Sequence, residues 1–231
     1  MDIKGHILEA YFVKRINRFV AEIEVNGKIE ISHVPNTGRM KELLVKGVKV
    51  LVRLVDDIKR KTKYDLLMVY HNNILVSIDS KLPNYLLYQG FKERDLKFWG
   101  NYDIVKKEVT YGNSRIDIGL IGKNGNTLIE AKCVTLVENG VAKFPDAPTK
   151  RGTKHINELI HANRKGINTG VIFVIQRQDA NTFMPNWDMD KEFSQALVKA
   201  YNEGVIIKAL VCSVKKDSIS LTHEINVNFE V

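Results

Sequence analysis

Apolar and polar residues alternate in short runs through the first third of the chain, the two-residue period of strands with one buried face. The pattern predicts strands at Leu8–Val13, Phe19–Val25, Lys28–His33, Lys49–Val55, Tyr64–Tyr70 and Ile74–Ile78. Asn26-Gly27, between the second and third, tolerates the positive φ angles of a two-residue hairpin. Pro35–Leu44 reads as a loop leading into a short helix, and Ser80–Gly100 as a partly helical bridge containing Pro83.

From Tyr102 onward the runs lengthen. Asp103–Tyr111 alternates as a strand. Ile116, Ile118 and Leu120 then alternate with Arg115, Asp117 and Gly119, and Leu128, Glu130 and Lys132 with Ile129, Ala131 and Cys133. Asn124-Gly125 between these runs marks a second hairpin. Val134–Phe144 is extended and is broken by the Pro145–Pro148 loop. Thr153–Lys165 has helical spacing and is closed by Gly166, whereas Gly170–Ile175 is a continuous apolar run, as in a strand buried on both faces. A polar loop to Asp188 precedes a helix at Lys191–Glu203, with Asp188 and Asp190 as capping residues, and strands at Val205–Ser213 and Ser218–His223 end the chain. The fold class is therefore β followed by α/β: an oligonucleotide-binding (OB)-like barrel over residues 1–82, then a mixed sheet flanked by helices over 83–231.

The second hairpin carries the candidate chemistry. With Asn124 and Gly125 as the loop, Lys123 faces Asn126, Asp117 lies opposite Lys132, and Gly119 lies opposite Glu130. Asp117, Glu130 and Lys132 then project from one side of the sheet. Two carboxylates offer hard oxygen ligands to Mg²⁺ or Mn²⁺, and a lysine beside them can stabilise charge on a phosphate or orient a water. The expected metal ligands are Asp117 and Glu130. The structural alternative is an exposed hairpin face with an ordinary cross-strand salt bridge.

Composition adds a sign. Lys and Arg number 35 against 27 Asp and Glu, a formal +8 that permits a polyanionic partner without requiring one. On the barrel, Lys14, Arg15 and Arg18 interleave with Tyr11, Phe12 and Phe19 as on nucleic-acid-binding faces, although these aromatics could equally fill the core. Lys59, Arg60 and Lys61 sit in a strand connection that could grip a phosphate backbone or be a solvated turn. Cys133 and Cys212 are neither paired in a CxxC nor near clustered histidines, so buried free thiols are expected and a zinc site is not. The N-terminus lacks a long apolar run and no stretch approaches a membrane span, which gives the expectation of a cytoplasmic protein.

Ordered motifs add a resemblance. His33-x-Pro-Asn-Thr-Gly-Arg-Met40, Ser114-Arg-Ile-Asp117, Glu130-x-Lys132, Thr135–Ala142, Phe144–Thr149, Arg151-Gly-x-Lys-His155 and Phe183-x-Pro-Asn186 together resemble the sugar fermentation stimulation protein A (SfsA) family across essentially the whole chain. The resemblance implies an N-terminal OB-like domain, a C-terminal domain similar to PD-(D/E)xK restriction endonucleases, DNA as partner, and a regulatory role in sugar metabolism. It implies metal-binding roles for Asp117 and Glu130 and a catalytic role for Lys132. Glu108 is the candidate for an extra acid before the hairpin, and His155 could reach a metal-bound water or a phosphate. Arg39, Arg115, Lys150, Arg151 and Lys154 complete the candidate nucleic-acid contacts; Gln176, Glu138 and Asp146 are candidate supporting groups. Asp117 follows Arg-Ile rather than proline, a departure from the restriction-enzyme pattern. The function expected is a DNA-binding protein with a metal-dependent phosphodiesterase site, the alternative a non-catalytic regulator; a homodimer stays open.

Overall fold

Fifteen strands and three helices form two sheets in a computed structural model that describes every residue except Ile58, Asn124 and Val231. The first sheet contains β1 (Ile7–Asn17), β2 (Val20–Val25), β3 (Lys28–His33), β4 (Lys49–Leu54), β5 (Tyr64–His71) and β6 (Ile74–Ser77), in the order β3-β2-β1-β4-β5-β6. Parallel pairing of Ser32 with Tyr64 and His33 with Asp65 closes β1–β5 into a barrel. Alternation places Ala10, Phe12, Ala21, Ile23, Val50, Val52 and Leu66 inside it. At the closure Asp65 binds the guanidinium groups of Arg53 at 2.9 Å and Arg60 at 2.6 Å.

The expected helix within Pro35–Leu44 does not form; the segment is a series of turns. Met40 takes a left-handed φ of 46° and its fully buried side chain joins Leu43 in the barrel core. Arg15 donates to the carbonyl oxygens of Asn36, Gly38 and Arg39, acceptors that a helix would have used for itself.

The second sheet has nine strands. They are β7 (Ile104–Tyr111), β8 (Ser114–Gly122), β9 (Gly125–Val134), β10 (Leu136–Glu138), β11 (Val141–Phe144), β12 (Asn168–Ile175), β13 (Thr182–Pro185), β14 (Ile206–Val214) and β15 (Ile219–Val227). Their order is β10-β11-β13-β15-β14-β12-β9-β8-β7, with β12 parallel to both β9 and β14. The helices are α1 (Leu82–Lys92), α2 (Lys150–Arg164) and α3 (Lys191–Asn202). Along β12, Val171, Phe173 and Ile175 pack with Leu159 and Leu197 of α2 and α3, whereas Ile172 and Val174 pack with Leu87 and Phe91 of α1. Both faces are dry from Gly170 to Ile175, which is why that part of the strand has no polar side chain. The second cluster also takes in Leu51, Leu67 and Met68 of the barrel, so one apolar core spans both sheets.

Three expectations about the second sheet need correction. Val134–Phe144, expected as one extended run, folds back on itself as the antiparallel pair β10–β11, with Asn139 and Gly140 at positive φ in the turn. The loop to Asp188 contains β13, which joins the sheet by parallel pairing with β11 and β15. The hairpin is also slipped by two residues: Gly122 pairs with Gly125 and Ile118 with Ile129, so Lys123 and Asn124 lie between the paired ends. Asn124, half of the expected turn, lies outside the described residues. A slip of two keeps every side chain on its own face, so hydrophobic alternation could not distinguish the registers. The helix expected from Thr153 begins at Lys150, with the Thr149 hydroxyl accepting from the Gly152 N–H at 3.0 Å. Asp190 caps α3 by accepting from the Phe193 N–H at 3.0 Å. No helix among the described residues is long and apolar enough to cross a membrane.

Candidate metal centre and the groove beside it

The β8–β9 ladder brings Asp117 to its open end, one residue beyond the Ile118–Ile129 pair. The Asp117 carboxylate accepts from the Ala131 backbone N–H at 2.8 Å through Oδ2, and from the Asn84 amide of α1 at 2.6 Å through Oδ1. Glu130, only 3% exposed, accepts at Oε1 from the Lys132 ammonium at 2.6 Å and lies 2.5 Å from Nδ1 of His155. His155 comes from the second turn of α2, where the helical period turns it inward while Lys150, Arg151 and Lys154 stay exposed. With its proton on Nδ1, His155 leaves Nε2 to accept from Arg151 Nε at 3.5 Å. The other Glu130 oxygen, Oε2, is buried without a partner.

Electrostatics separate the two carboxyl groups. Burial, then the Glu130 charge, push the Asp117 carboxyl up to about 6. Burial acts on Glu130 in the same direction, but the Lys132 charge and the His155 and Lys132 hydrogen bonds outweigh it and hold this carboxyl below the usual range. A pair of carboxyl groups driven apart in this way is a common mark of a working site. The site is short of positive charge at Asp117 and has one empty acceptor at Glu130 Oε2. A hard divalent cation fits both needs, because Mg²⁺ commonly takes one or two carboxylates and keeps several waters. Among the described residues no group of three or more His, Cys, Asp and Glu is arranged to hold a metal, so two protein carboxylates are the donor set available.

The remaining expected residues divide. Glu108 has a left-handed φ of 55°, is exposed, and lies 3.5 Å from Arg115, which is itself exposed; neither makes a hydrogen bond to Asp117 or Glu130. Lys154 donates to the Asn113 carbonyl at 2.9 Å. Lys14 pairs with Glu22 at 3.3 Å, Arg15 is occupied by backbone carbonyls, and Arg60 by Asp65. Arg18, Arg39, Lys59 and Lys61 are exposed. Of the barrel aromatics, Phe12 belongs to the core while Tyr11 and Phe19 are about half exposed. Gln176 is fully buried and exchanges hydrogen bonds with Ser77: its side-chain Nε2 donates to the Ser77 backbone carbonyl, and the Ser77 N–H donates to the Gln176 backbone carbonyl, both at 3.0 Å. It therefore ties barrel to sheet. Lys143 pairs with Glu138 at 2.7 Å, and Asp146 accepts from the Met40 N–H at 3.3 Å. Both cysteines are free; burial pushes the Cys212 thiol up to about 12 and the Cys133 thiol further, so neither is a nucleophile at neutral pH.

A groove of about 1160 Å³ runs between barrel and sheet. Arg18, Arg39, Lys41 and Lys46 line its barrel side, and Lys132 and Lys143 its sheet side; Asp146 is its one acid among the described residues. Lys132 joins this groove to Glu130. Asn84, Lys41, Lys46 and Lys143 did not stand out in the sequence. Asn84 follows a proline at a helix start, and no local pattern ties it to an aspartate on a distant strand.

The sequence matches the models of two family domains, the SfsA N-terminal OB domain over residues 13–78 and the Sugar fermentation stimulation protein RE domain over residues 81–218. A sugar fermentation stimulation protein homolog of Alkaliphilus metalliredigens is 51% identical over 227 residues, 97% of this chain and 98% of the relative. One from Clostridium tetani is 48% identical over 228 residues, 98% of this chain and 99% of the relative. Among solved structures, Pyrococcus furiosus SfsA in complex with Ca²⁺ superposes with a TM-score of 0.90 at 27% identity, covering 99% of this chain and 98% of that one.

Proposed function

Because the chain belongs to the sugar fermentation stimulation protein family, we propose that it is a DNA-binding protein whose Asp117, Glu130 and Lys132 form a divalent-metal phosphodiesterase site of the PD-(D/E)xK type. The observation that carries the reading is Glu130 Oε2, a buried carboxylate oxygen without a partner beside an aspartate whose carboxyl is pushed up to about 6. The Ca²⁺ named with the Pyrococcus furiosus relative supports a divalent cation in this fold.

Glu130 Oε2 and an Asp117 oxygen would hold Mg²⁺ or Mn²⁺. When bound, the cation supplies Lewis-acid polarisation of a phosphoryl oxygen and a bound water of lowered pKa. Asp117 would have to give up its proton to serve as a ligand, and Asn84 and the Ala131 N–H fix the carboxylate plane. His155 holds Glu130 in one rotamer and so points Oε2 at a set position. The Lys132 ammonium, 2.6 Å from Glu130 Oε1, is placed to neutralise charge growing on the phosphoryl oxygens.

Purified protein incubated with DNA and Mn²⁺ is expected to cleave it, to stop with EDTA, and to lose roughly 100-fold in rate, about 2.7 kcal/mol of transition-state stabilisation, on Glu130→Gln. Metal-independent cleavage, or equal rates in wild type and Asp117→Ala, would sink the proposal. A second reading, binding without turnover that regulates genes of sugar metabolism, draws on Lys132 and His155 both occupying Glu130 Oε1 already. It expects salt-sensitive DNA binding that Glu130→Gln leaves intact and that loss of Lys59 and Lys61 weakens, with no cleavage under any metal.

A further inference from the structure

Resting on the reading that Glu130 is the reaction centre, we propose that the groove between barrel and sheet receives a single strand of DNA and rejects an intact duplex. The charge is distributed for a backbone. Arg18, Arg39, Lys41 and Lys46 are exposed on the barrel side and make no ion pair among the described residues, whereas the cations elsewhere on the rim are engaged: Lys14 by Glu22, Arg15 by carbonyl oxygens and Lys143 by Glu138. Lys132 continues the cationic line to the carboxylates.

Depth separates one strand from two. Lys132, its side chain 12% exposed, lines the groove, and Glu130, 3% exposed, lies behind it rather than on the groove wall, so a phosphate has to descend to Lys132 to approach the carboxylates. A duplex carries its phosphates on the outside of a stiff cylinder, while a single strand can bend down between two walls. The volume of about 1160 Å³ holds a few nucleotides of one strand, near the low end of the roughly 4–16 that an OB fold occupies.

One exposed aromatic stands at the edge of this groove. Phe19, which follows the groove-lining Arg18 without itself lining the groove, is 53% exposed on a turn. Such a ring buries apolar area only against a base whose face is free, which a single strand offers and a stacked duplex does not.

The test uses the full chain in EDTA, so that binding is read without cleavage. Fluorescence anisotropy is measured with a labelled oligo-dT of about 12 nucleotides, within the usual span of an OB fold, and with a duplex of equal length. The single strand is expected to bind at least tenfold tighter, at ~10-fold or more. Arg39→Ala with Lys41→Ala should weaken it and flatten the slope of log affinity against log salt by about 1.4, the loss of two phosphate contacts. Phe19→Ala should weaken the single strand roughly tenfold and leave the duplex unchanged. Lys92→Ala with Lys97→Ala, which removes equal charge away from the groove, is the comparison, and thermal melts confirm that each variant folds. Duplex binding as tight as the single strand, or equal losses in the two double variants, overturns the proposal. Tight single-strand binding without cleavage under Mn²⁺ would remove the phosphodiesterase reading and leave the groove assignment standing; cleavage of duplex without single-strand preference would do the reverse.

Discussion

Asp117 is the residue at which stability and the proposed chemistry pull in opposite directions. Its carboxyl stands at about 6 in the fold against an ordinary 3.8, so the folded state holds the proton more tightly than the unfolded state. The stabilising contribution of protonated Asp117 is therefore complete below about pH 4 and is lost as pH rises through 6. At pH 8 the buried charge opposes folding by up to roughly 3 kcal/mol, two pKa units at 1.36 kcal/mol each. Asp117→Asn is expected to raise the melting temperature of the metal-free protein at pH 8 by several degrees, and to match the wild type at pH 4. Equal melting at both pH values would refute the burial account. The amide can still accept from the Ala131 N–H, and the Asn84 amide can turn over to meet it. At this scale the sequence was informative where spacing along a hairpin mattered, at Asp117, Glu130 and Lys132. It was silent about Asn84, whose role depends on how α1 docks across β8 and β9.

At the scale of elements, alternation located the barrel strands, and Asn26 and Gly27, with φ of 49° and 73°, make the turn their residue types favour. Elements whose conformation is imposed by distant partners were not legible. β13 is four residues ending in proline and exists because β11 and β15 supply its hydrogen bonds. The Pro35–Leu44 segment reads as a loop leading into a short helix, yet no helix forms and a guanidinium from β1 takes the carbonyl oxygens of Asn36, Gly38 and Arg39. Arg15→Ala is accordingly expected to destabilise the protein by about 2 kcal/mol, the scale of a charged hydrogen-bond network lost from a half-buried loop, read as a shifted denaturation midpoint with unchanged slope. A neutral result would mean that the buried Met40 and Leu43 side chains hold this segment unaided.

For the whole molecule, the sequence indicated a barrel followed by a mixed sheet, but not the way they join. Leu51, Leu67 and Met68 of the barrel lie in the same apolar cluster as Leu87 and Phe91 of α1 and Ile172 and Leu210 of the sheet, and the Ser77–Gln176 pair adds reciprocal hydrogen bonds. Apolar alternation records that a residue faces inward and not which neighbour it meets, so this joint could not be read from either half. One cooperative calorimetric transition is expected, with equal calorimetric and van't Hoff enthalpies; two resolved transitions would contradict a shared core. The same core bears on how such a chain could be reshuffled over generations. A recombination event that carried off either half alone would expose the raw side of that cluster, an aggregation hazard from the first molecule translated. The two halves are thus separable as text but not as folded bodies, and a chain that combines them needs the joint as much as the parts.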